Sequence, residues 1–411
     1  MRPTDRRDAV VLTVAMLAAS AGNYVLNSAL GRLLPAAEFG EAALLVSLVL
    51  FSAVVSTALQ LGASHAAADG DDLPARVVRT STRAGLFGAA PFVMVAPLVA
   101  PWLHVSTVAL VIVGFGWPLH ARLAVERGLL QGFDRAGRAS ATFVVEFVFR
   151  LVATLVFVLA GWGVIGVALG LNVGFAGGLI VTGLTSPGRF APIAGGRGDR
   201  PATARFLMLT AATAVVSYAD IVIAKVVLEP EAAGRYAAVA LIGRATAVVA
   251  LSMQQIVVPL VRRSGREAHA RMLAWTAGVT GALAASAFLV ATIADELIIR
   301  LAFGSSYVSI ASILGPYTFA TGCFAVVTVV VSADLAAGRL RSLGVVMAGA
   351  VAQTVVLSSF ASTATGMVTG QVVVMTALLF ALAVVRHDRV VVSLTWKSRV
   401  RADRAPMGVR S

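Results

Sequence analysis

Residues 30–60, LGRLLPAAEFGEAALLVSLVLFSAVVSTALQ, join a short polar connection to an apolar run long enough to cross a membrane. Moved forward by 194 positions, this stretch falls on residues 224–254, AKVVLEPEAAGRYAAVALIGRATAVVALSMQ. The residues that coincide include Gly40 with Gly234, Leu34 with Leu228, and Gln60 with Gln254. A shift near 204 further matches Arg135 with Arg339, Val164 with Val368, and Gly166 with Gly370. The recurrence predicts a chain built from two related halves.

The composition predicts a membrane protein, since 58% of the 411 residues are hydrophobic and only 13% are charged. Apolar runs of about 20 residues mark membrane helices. The sequence holds twelve of them: 9–29, 42–62, 84–103, 105–121, 139–160, 163–184, 204–228, 236–261, 271–295, 310–334, 343–362 and 364–385. Three junctions are very short, at 101–105, 161–163 and 362–364, and there a longer run is divided into two helices.

Basic residues alternate between the two sides of this arrangement. With the N-terminus inside, 27 of the 33 Arg and Lys residues fall in cytoplasmic segments, including the loops 63–83 and 122–138. Outside loops hold only Arg32, Arg235 and Arg300. This placement explains the net charge of +13 without a nucleic-acid partner. With 31 arginines against two lysines, a GC-rich bacterial genome is indicated, and we expect a multi-pass protein of the bacterial cytoplasmic membrane with both termini cytoplasmic.

The twelve helices divide six and six around a segment rich in Gly, Pro and Arg. We expect an N-terminal six-helix bundle at 1–184, a cytoplasmic linker at 185–205, a C-terminal bundle at 206–385 and a basic cytoplasmic tail at 386–411, disordered beyond Lys397. Six spans per repeat give both halves the same orientation. The predicted fold is therefore an all-α polytopic membrane protein with a parallel pseudo-twofold repeat, a plan on which secondary transporters hold substrate between the halves.

Five motifs resemble those of one transporter family. They are LGRLLPAAEFGEAALLVSL (30–48), LLQGFDRAGR (129–138), GWGVIGVALG (161–170), EPEAAGRYAAVALIGR (229–244) and QQIVVPLVRR (254–263). Together they resemble the Wzx-type polysaccharide flippases of the multidrug/oligosaccharidyl-lipid/polysaccharide (MOP) exporter superfamily. The resemblance implies a V-shaped transporter that exports a lipid-linked oligosaccharide. Twelve spans differ from the fourteen that are typical of the lipid II branch, which argues against a peptidoglycan precursor as cargo.

Several ionisable residues lie within the predicted membrane helices, where such groups usually face protein or a water-filled cavity. Glu146 and Arg150 are four residues apart and share one helix face. Arg244 is the candidate partner of Asp220, whereas Lys225 either reaches the membrane interface or faces the cavity. The structural alternative is that these charges only stabilise helix packing, and that the side-chain amides of the Asn and Gln residues only form hydrogen bonds between helices.

The functional alternative is a cationic, polar cavity between the halves. Its candidate substrate-binding residues are Asn23, Asn27, Gln60, Arg150, Lys225, Arg244 and Gln254, with Glu146 and Asp220 as candidates for ion pairing or coupling. Arginine suits the diphosphate of a lipid-linked glycan, and amides suit its sugars. We expect no catalytic residue, cofactor or metal. Expected partners are the lipid-linked glycan, membrane lipids and possible contacts with a polysaccharide polymerase or glycosyltransferases.

Two other functions share parts of this pattern. A multidrug exporter of the same fold would favour an acidic cavity for cationic substrates. A membrane-embedded glycan ligase or polymerase would need a large outward loop, and the predicted outside loops are all short. The string GWGVIG at 161–166 matches a dinucleotide motif by letter, but it joins two membrane helices and follows no strand, so we interpret it as a turn.

Overall fold

The computed structural model describes residues 21–69, 74–133, 135–185, 200–245, 266–336, 339–360 and 362–402. Within these ranges the chain is helical and forms no strand. The first half contains α1 (21–33), α2 (Ala36–Asp69), α3 (Pro74–Val99), α4 (Thr107–Gly132), α5 (Ala136–Phe157) and α6 (Gly163–Thr185). The second half contains α7 (Arg200–Val227), α8 (Pro230–Gly243), α9 (Arg266–Ile293), α10 (Asp295–Phe303), α11 (Leu314–Ala336), α12 (Arg341–Phe360) and α13 (Ala364–Ala402).

Eight stretches of the described chain are long and apolar enough to cross a membrane. One of them, 137–183, contains both α5 and α6. The protein is therefore an all-α, multi-pass membrane protein, and the predicted fold class is confirmed. The short helix α10 was not predicted, and the predicted helices 9–29 and 236–261 extend in part beyond the described residues.

All three short junctions are real helix breaks. Helix α3 ends at Val99 and α4 begins at Thr107, while α12 ends at Phe360 and α13 begins at Ala364. Between α5 and α6, Gly161 and Gly163 adopt φ values of 87° and 51°. Glycine reaches this left-handed region without the steric cost of a side chain, so the chain reverses at this point. The GWGVIG string is thus a helix–helix turn.

Two predicted loops are largely helical. Helix α2 extends to Asp69 and α3 begins at Pro74, so little of the predicted loop 63–83 is left outside helices. Helix α4 continues to Gly132, which removes most of the predicted loop 122–138. The disorder expected beyond Lys397 is not found at residues 398–402, where α13 is still helical, and residues 403–411 lie outside the described residues. Charged residues do not end these helices, because pairs such as Arg122 with Glu126, 2.8 Å apart, fit on a continuous helix.

The LLQGFDRAGR stretch begins where α4 crosses α2 at close range. Added Cβ atoms on Gly128 and Gly132 would collide with the carbonyl oxygens of Gln60 and Ser64. Small residues four positions apart let two membrane helices approach this closely. Gln131, between the two glycines, accepts a hydrogen bond from Gln60 at 3.0 Å. This motif therefore has a packing role within the first half.

The internal repeat is visible in matched contacts. The amide of Arg135 donates to the carbonyl of Leu130 at 2.8 Å, and the amide of Arg339 donates to that of Asp334 at 2.8 Å. Both members of the second bond lie 204 positions after those of the first. The first bond shapes the turn before α5, and the second shapes the turn before α12. The equal geometry supports the repeat that the sequence predicts.

The glycines matched by the 194-residue shift touch each other across the two halves. A Cβ atom added to Gly40 would lie 2.9 Å from the Cα atom of Gly234. Equivalent residues that meet in this way lie beside the pseudo-twofold axis. Helix α2 packs on α7 and α8 around this point, and the Phe51 and Tyr218 rings lie 6.2 Å apart farther along α2.

The helix connections distinguish two ends of the bundle, the turn end and the basic end. The turn end carries the connections at 34–35, 100–106 and 158–162. The basic end carries the connection residues Phe133, Arg135, Arg339 and Leu340 and the α13 residues beyond Arg386. The contact between Gly40 and Gly234 places the junction of the halves at the turn end. The positive-inside rule predicts that the turn end faces outward.

Candidate functional site

A polar cluster in the first half is centred on Glu146 of α5. The carboxylate accepts a hydrogen bond from Arg127 Nη2 at 2.7 Å, and its other oxygen lies 3.6 Å from Arg150 Nη1. Arg127 also donates through Nε to Thr142 Oγ1 at 2.8 Å, and its guanidinium lies 3.7 Å from the Phe143 ring centre. Two buried arginines therefore share one carboxylate.

Arg150 extends this cluster to α1. Its Nη2 donates to Asn23 Oδ1 at 2.7 Å, while its buried Nε has no hydrogen-bond partner. Asn27 lies one turn farther on and donates to the backbone carbonyl of Asn23 at 2.7 Å. Of the predicted pair of asparagines, Asn23 thus bonds the arginine and Asn27 bonds within α1. Arg150 therefore has an unused donor, Nε, and it bonds α1, a helix that also contacts the second half.

The imidazole ring of His120 lies beside the same cluster. Its Nδ1 lies 3.1 Å from Ser52 Oγ and 3.3 Å from Ser56 Oγ. The ring stacks on Phe175 with centres 4.6 Å apart. The predicted helix 105–121 ends one residue after His120, so spacing alone did not indicate its position beside the charged cluster.

A second polar cluster in the other half is centred on Asp220 of α7. Asp220 forms an ion pair with Arg244, as predicted. Tyr317 donates to Asp220 Oδ2 at 2.7 Å and accepts from Arg244 Nε at 3.0 Å. Tyr236 donates to the same carboxylate oxygen at 3.1 Å and lies 3.3 Å from Gln371 Oε1. This cluster is neutral, and its carboxylate is enclosed by three side-chain donors and by the backbone amide of Ile221, which donates to Oδ1 at 2.8 Å.

Lys225 lies nearer the turn end and does not reach the surface. Only 1% of the residue is exposed, and its Nζ is buried without a hydrogen-bond partner. Glu41 of α2 lies within electrostatic range and accepts a hydrogen bond from the Ser106 amide at 2.9 Å. His104 Nδ1 lies 3.1 Å from the Lys225 carbonyl oxygen. The interfacial alternative for Lys225 is therefore wrong.

The predicted residues divide between these clusters rather than lining one surface. Gln60 bonds Gln131 within the first half, toward the basic end, and Gln254 lies outside the described residues. Helix α1 connects the two clusters, because Asn23 bonds Arg150 and the next residue, Tyr24, lies within electrostatic range of Arg244. Arg150 and Arg244 keep 16% and 12% of their side-chain surface exposed.

The main residues missed by sequence reasoning are Arg127, Tyr236 and Tyr317. Arg127 was counted in a cytoplasmic loop, although Leu123, Leu129 and Leu130 surround it without an intervening proline. That apolar pattern was the available signal that α4 continues. Nothing in the spacing of the tyrosines distinguishes them from ordinary aromatic core residues. Among the described residues no group of three or more His, Cys, Asp or Glu side chains is placed to hold a metal ion.

A solved transporter of the MOP superfamily has a fold similar to that of this chain. A multidrug resistance MATE transporter of that superfamily, in an inward-facing conformation, matches with a TM-score of 0.65 at 13% identity, covering 92% of this chain and 97% of its own. The lipid II flippase MurJ in an inward closed conformation matches with a TM-score of 0.69 at 12% identity, covering 91% and 86%. At these identities the likeness concerns the fold.

Sequence comparison reaches relatives in mycobacteria. Proteins of Mycobacterium tuberculosis and Mycobacterium bovis, both described as uncharacterized, are 28% identical over 261 residues. The match covers 60% of this chain and 58% of the length of those relatives. No protein-family model matches the chain.

Proposed function

We propose that this protein is a flippase that moves a polyprenyl-diphosphate-linked oligosaccharide from the inner to the outer leaflet for surface polysaccharide synthesis. The observation that carries the proposal is the surplus positive charge around Glu146. Arg127 and Arg150 share that single carboxylate, and Arg150 has a buried Nε donor without a partner. A guanidinium with free donors suits phosphate oxygens, which accept paired, charge-assisted hydrogen bonds.

The charge balance favours this cargo over a cationic drug. The two clusters contain three arginines, Arg127, Arg150 and Arg244, against the carboxylates Glu146 and Asp220. A site for cationic drugs would instead need a surplus of acidic groups. Glu146 would keep its bond to Arg127 when Arg150 turns toward a diphosphate, so binding would leave no carboxylate buried alone.

The junction of the halves supports alternating access. The halves contact each other at the turn end through Gly40 and Gly234, whereas Gln60, farther along α2, contacts α4 of its own half. Substrate would enter between the halves from the basic end, which the positive-inside rule assigns to the cytoplasm. Rocking one half against the other would then expose the clusters to the opposite side. Glu146 and Asp220 are the proposed coupling groups.

Lipid analysis of a deletion strain tests the proposal. We expect the strain to accumulate a diphosphate-linked oligosaccharide and to lose the matching surface glycan, and we expect the wild-type gene to restore both. Arg150→Ala should fail to restore export. Arg122→Ala should restore it, because Arg122 is a partly exposed arginine in an ion pair outside both clusters.

Three results would count against the proposal. Full export by the Arg150→Ala variant would remove its central residue. Unchanged glycolipids together with new sensitivity to cationic drugs would identify a multidrug exporter with this fold. Accumulation of unpolymerised or unligated glycan already on the outer leaflet would instead favour a glycan polymerase or ligase.

A further inference from the structure

The three arginines that the positive-inside pattern leaves on the turn side converge on one cleft. Arg32 lies on α1, Arg235 on α8 and Arg300 on α10, yet all three line a cleft of about 600 Å³. The cleft opens at the turn end, beside the connection between α1 and α2 and the residues Gly304–Tyr307. Basic residues are rare on this side of the predicted membrane. The positive-inside pattern therefore does not account for three of them at one cleft, and a bound anionic ligand would.

Two donors of this cleft are buried without partners. Arg235 Nη2 forms an ion pair with Glu231 at 3.0 Å, but its Nε is buried and unbonded. The hydroxyl of Tyr307 is also buried and unbonded, and only 1% of this residue is exposed. Tyr307 lies within electrostatic range of Arg235. Unsatisfied buried donors are costly, and two that line one cleft indicate an acceptor-rich ligand.

The other two arginines have contacts that still leave the cleft cationic. Arg32 donates through Nε to the Ala302 carbonyl at 3.2 Å and through Nη2 to the Leu301 carbonyl. Arg300 lies 3.7 Å from Glu296, and both side chains are more than half exposed. Neutral carbonyls do not cancel the charge of Arg32. Glu231 is the acidic residue among those that line the cleft.

An apolar groove continues directly from the cationic cleft. It has a volume of about 480 Å³ and shares Arg32 and Phe303 with the cleft. Its remaining lining comes mainly from α1 and α8, including Val25, Leu241 and Ile242. Val25 is 66% exposed, so this groove opens at the side of the helices that would face lipid. A cationic cleft joined to an apolar groove matches an amphiphile with an anionic head.

We propose that the cleft and groove form a binding site for an anionic phospholipid of the leaflet at the turn end. The phosphate group would accept hydrogen bonds from Arg235 and Tyr307, and an acyl chain would lie along the groove between α1 and α8. Glu146, Asp220 and their arginine partners do not line this site, although Tyr24 of the groove lies within electrostatic range of Arg244. Lipid binding here does not require the cargo. Because α1 and α10 both border it, the lipid stabilises the arrangement in which the halves meet at the turn end.

Native mass spectrometry and thermal unfolding of the purified full-length protein test this site. The probes are dioctanoyl phosphatidylglycerol, dioctanoyl phosphatidylcholine and inorganic phosphate, each added to protein in a neutral detergent. We expect one phosphatidylglycerol to be retained with a raised unfolding temperature. Arg235→Gln should weaken retention about tenfold, the loss expected for a charge-assisted bond. Tyr307→Phe should weaken it about fivefold, and its removed hydroxyl has no partner whose loss would disturb folding.

The matched control is Arg122→Gln. Arg122 and Glu126 form an i,i+4 ion pair like that of Arg235 with Glu231, but outside this cleft. The control should retain phosphatidylglycerol as the wild type does. Equal retention by wild type and Tyr307→Phe would overturn the proposal. So would equal retention of phosphatidylcholine, which would indicate an apolar groove alone, or an equal temperature shift from inorganic phosphate, which would indicate a free-anion site.

Discussion

The two halves carry their polar clusters on non-equivalent helices, Glu146 on α5 and Asp220 on α7, and balance the charges differently. In the first half Glu146 lies between Arg127 and Arg150. In the second half Asp220 is paired with one arginine and receives two tyrosine hydroxyls. One cluster is therefore cationic and the other is neutral. Repetition of the fold has not repeated the chemistry, so we expect binding of the cargo diphosphate to be confined mainly to the first half.

Removing each central carboxylate should produce the largest effects. Glu146→Gln leaves two arginines buried without a counter-charge, and we expect a loss of about 3–5 kcal/mol in the free energy of unfolding. Asp220→Asn should cost less, because it leaves one arginine that still contacts Tyr317. Denaturant unfolding in detergent micelles measures both variants. A larger loss for Asp220→Asn would show that the second cluster bears the greater electrostatic load.

The two arginines of the first cluster should separate stability from transport. Arg127→Gln removes bonds to Glu146 and Thr142, and we expect a loss of about 1.5–3 kcal/mol. Arg150→Gln should cost under about 1 kcal/mol, because the shorter Arg127–Glu146 pair remains. Glycan export should show the opposite order of sensitivity when scaled to the amount of folded protein. An Arg150 variant that is unstable but exports normally would contradict the assignment of Arg150 to binding.

The contact between the halves can be tested at Gly234. Alanine there would collide with the backbone of Ala36, and overpacking of this kind costs about 1–3 kcal/mol. We expect the halves to separate at the turn end. Spin labels at Trp102 and Leu297, both exposed, would report a longer distance in a Cys323→Ala background.

Gly62→Ala is the control for that experiment, since an added Cβ at Gly62 has no neighbour within 4 Å. It should leave the distance between the labels unchanged and stabilise α2 slightly by improving helix propensity. An unchanged distance in Gly234→Ala would mean that the glycine contact does not control how the halves meet.

The tyrosines of the second cluster should contribute less to stability than either central carboxylate. Hydrogen bonds within membrane proteins contribute about 0.6 kcal/mol on average and up to about 1.7 kcal/mol. Tyr317→Phe should approach the upper value because its hydroxyl contacts both Asp220 and Arg244. Tyr236→Phe should lie near the average, and both variants should retain export. Loss of export in a stable Tyr317→Phe protein would show that the second cluster takes part in transport directly.

The helices and their short junctions were predictable from sequence because membrane crossing imposes a minimum length of apolar residues. The pair Asp220–Arg244 was predictable because each charge needed a partner on another helix. Arg127 was not, since counting basic residues by side says nothing about how far a helix continues. The bond from Arg150 to Asn23 joins residues 127 positions apart, and no spacing rule specifies such a contact. The amphipathic helix α10 is too short to register as a membrane span.

The uninterrupted length of helix α13 would amplify a small tilt of the helix into a large movement of its end. It runs from Ala364 to Ala402, whereas the apolar span within it ends at Arg386. At 1.5 Å per residue, the whole rod is about 58 Å long, and about 24 Å of it projects past the span. A tilt of about 10° in this helix would move its far end by about 10 Å relative to its start. A fluorophore on the projecting part would thus act as a pointer, converting rocking of the second half into an optical signal.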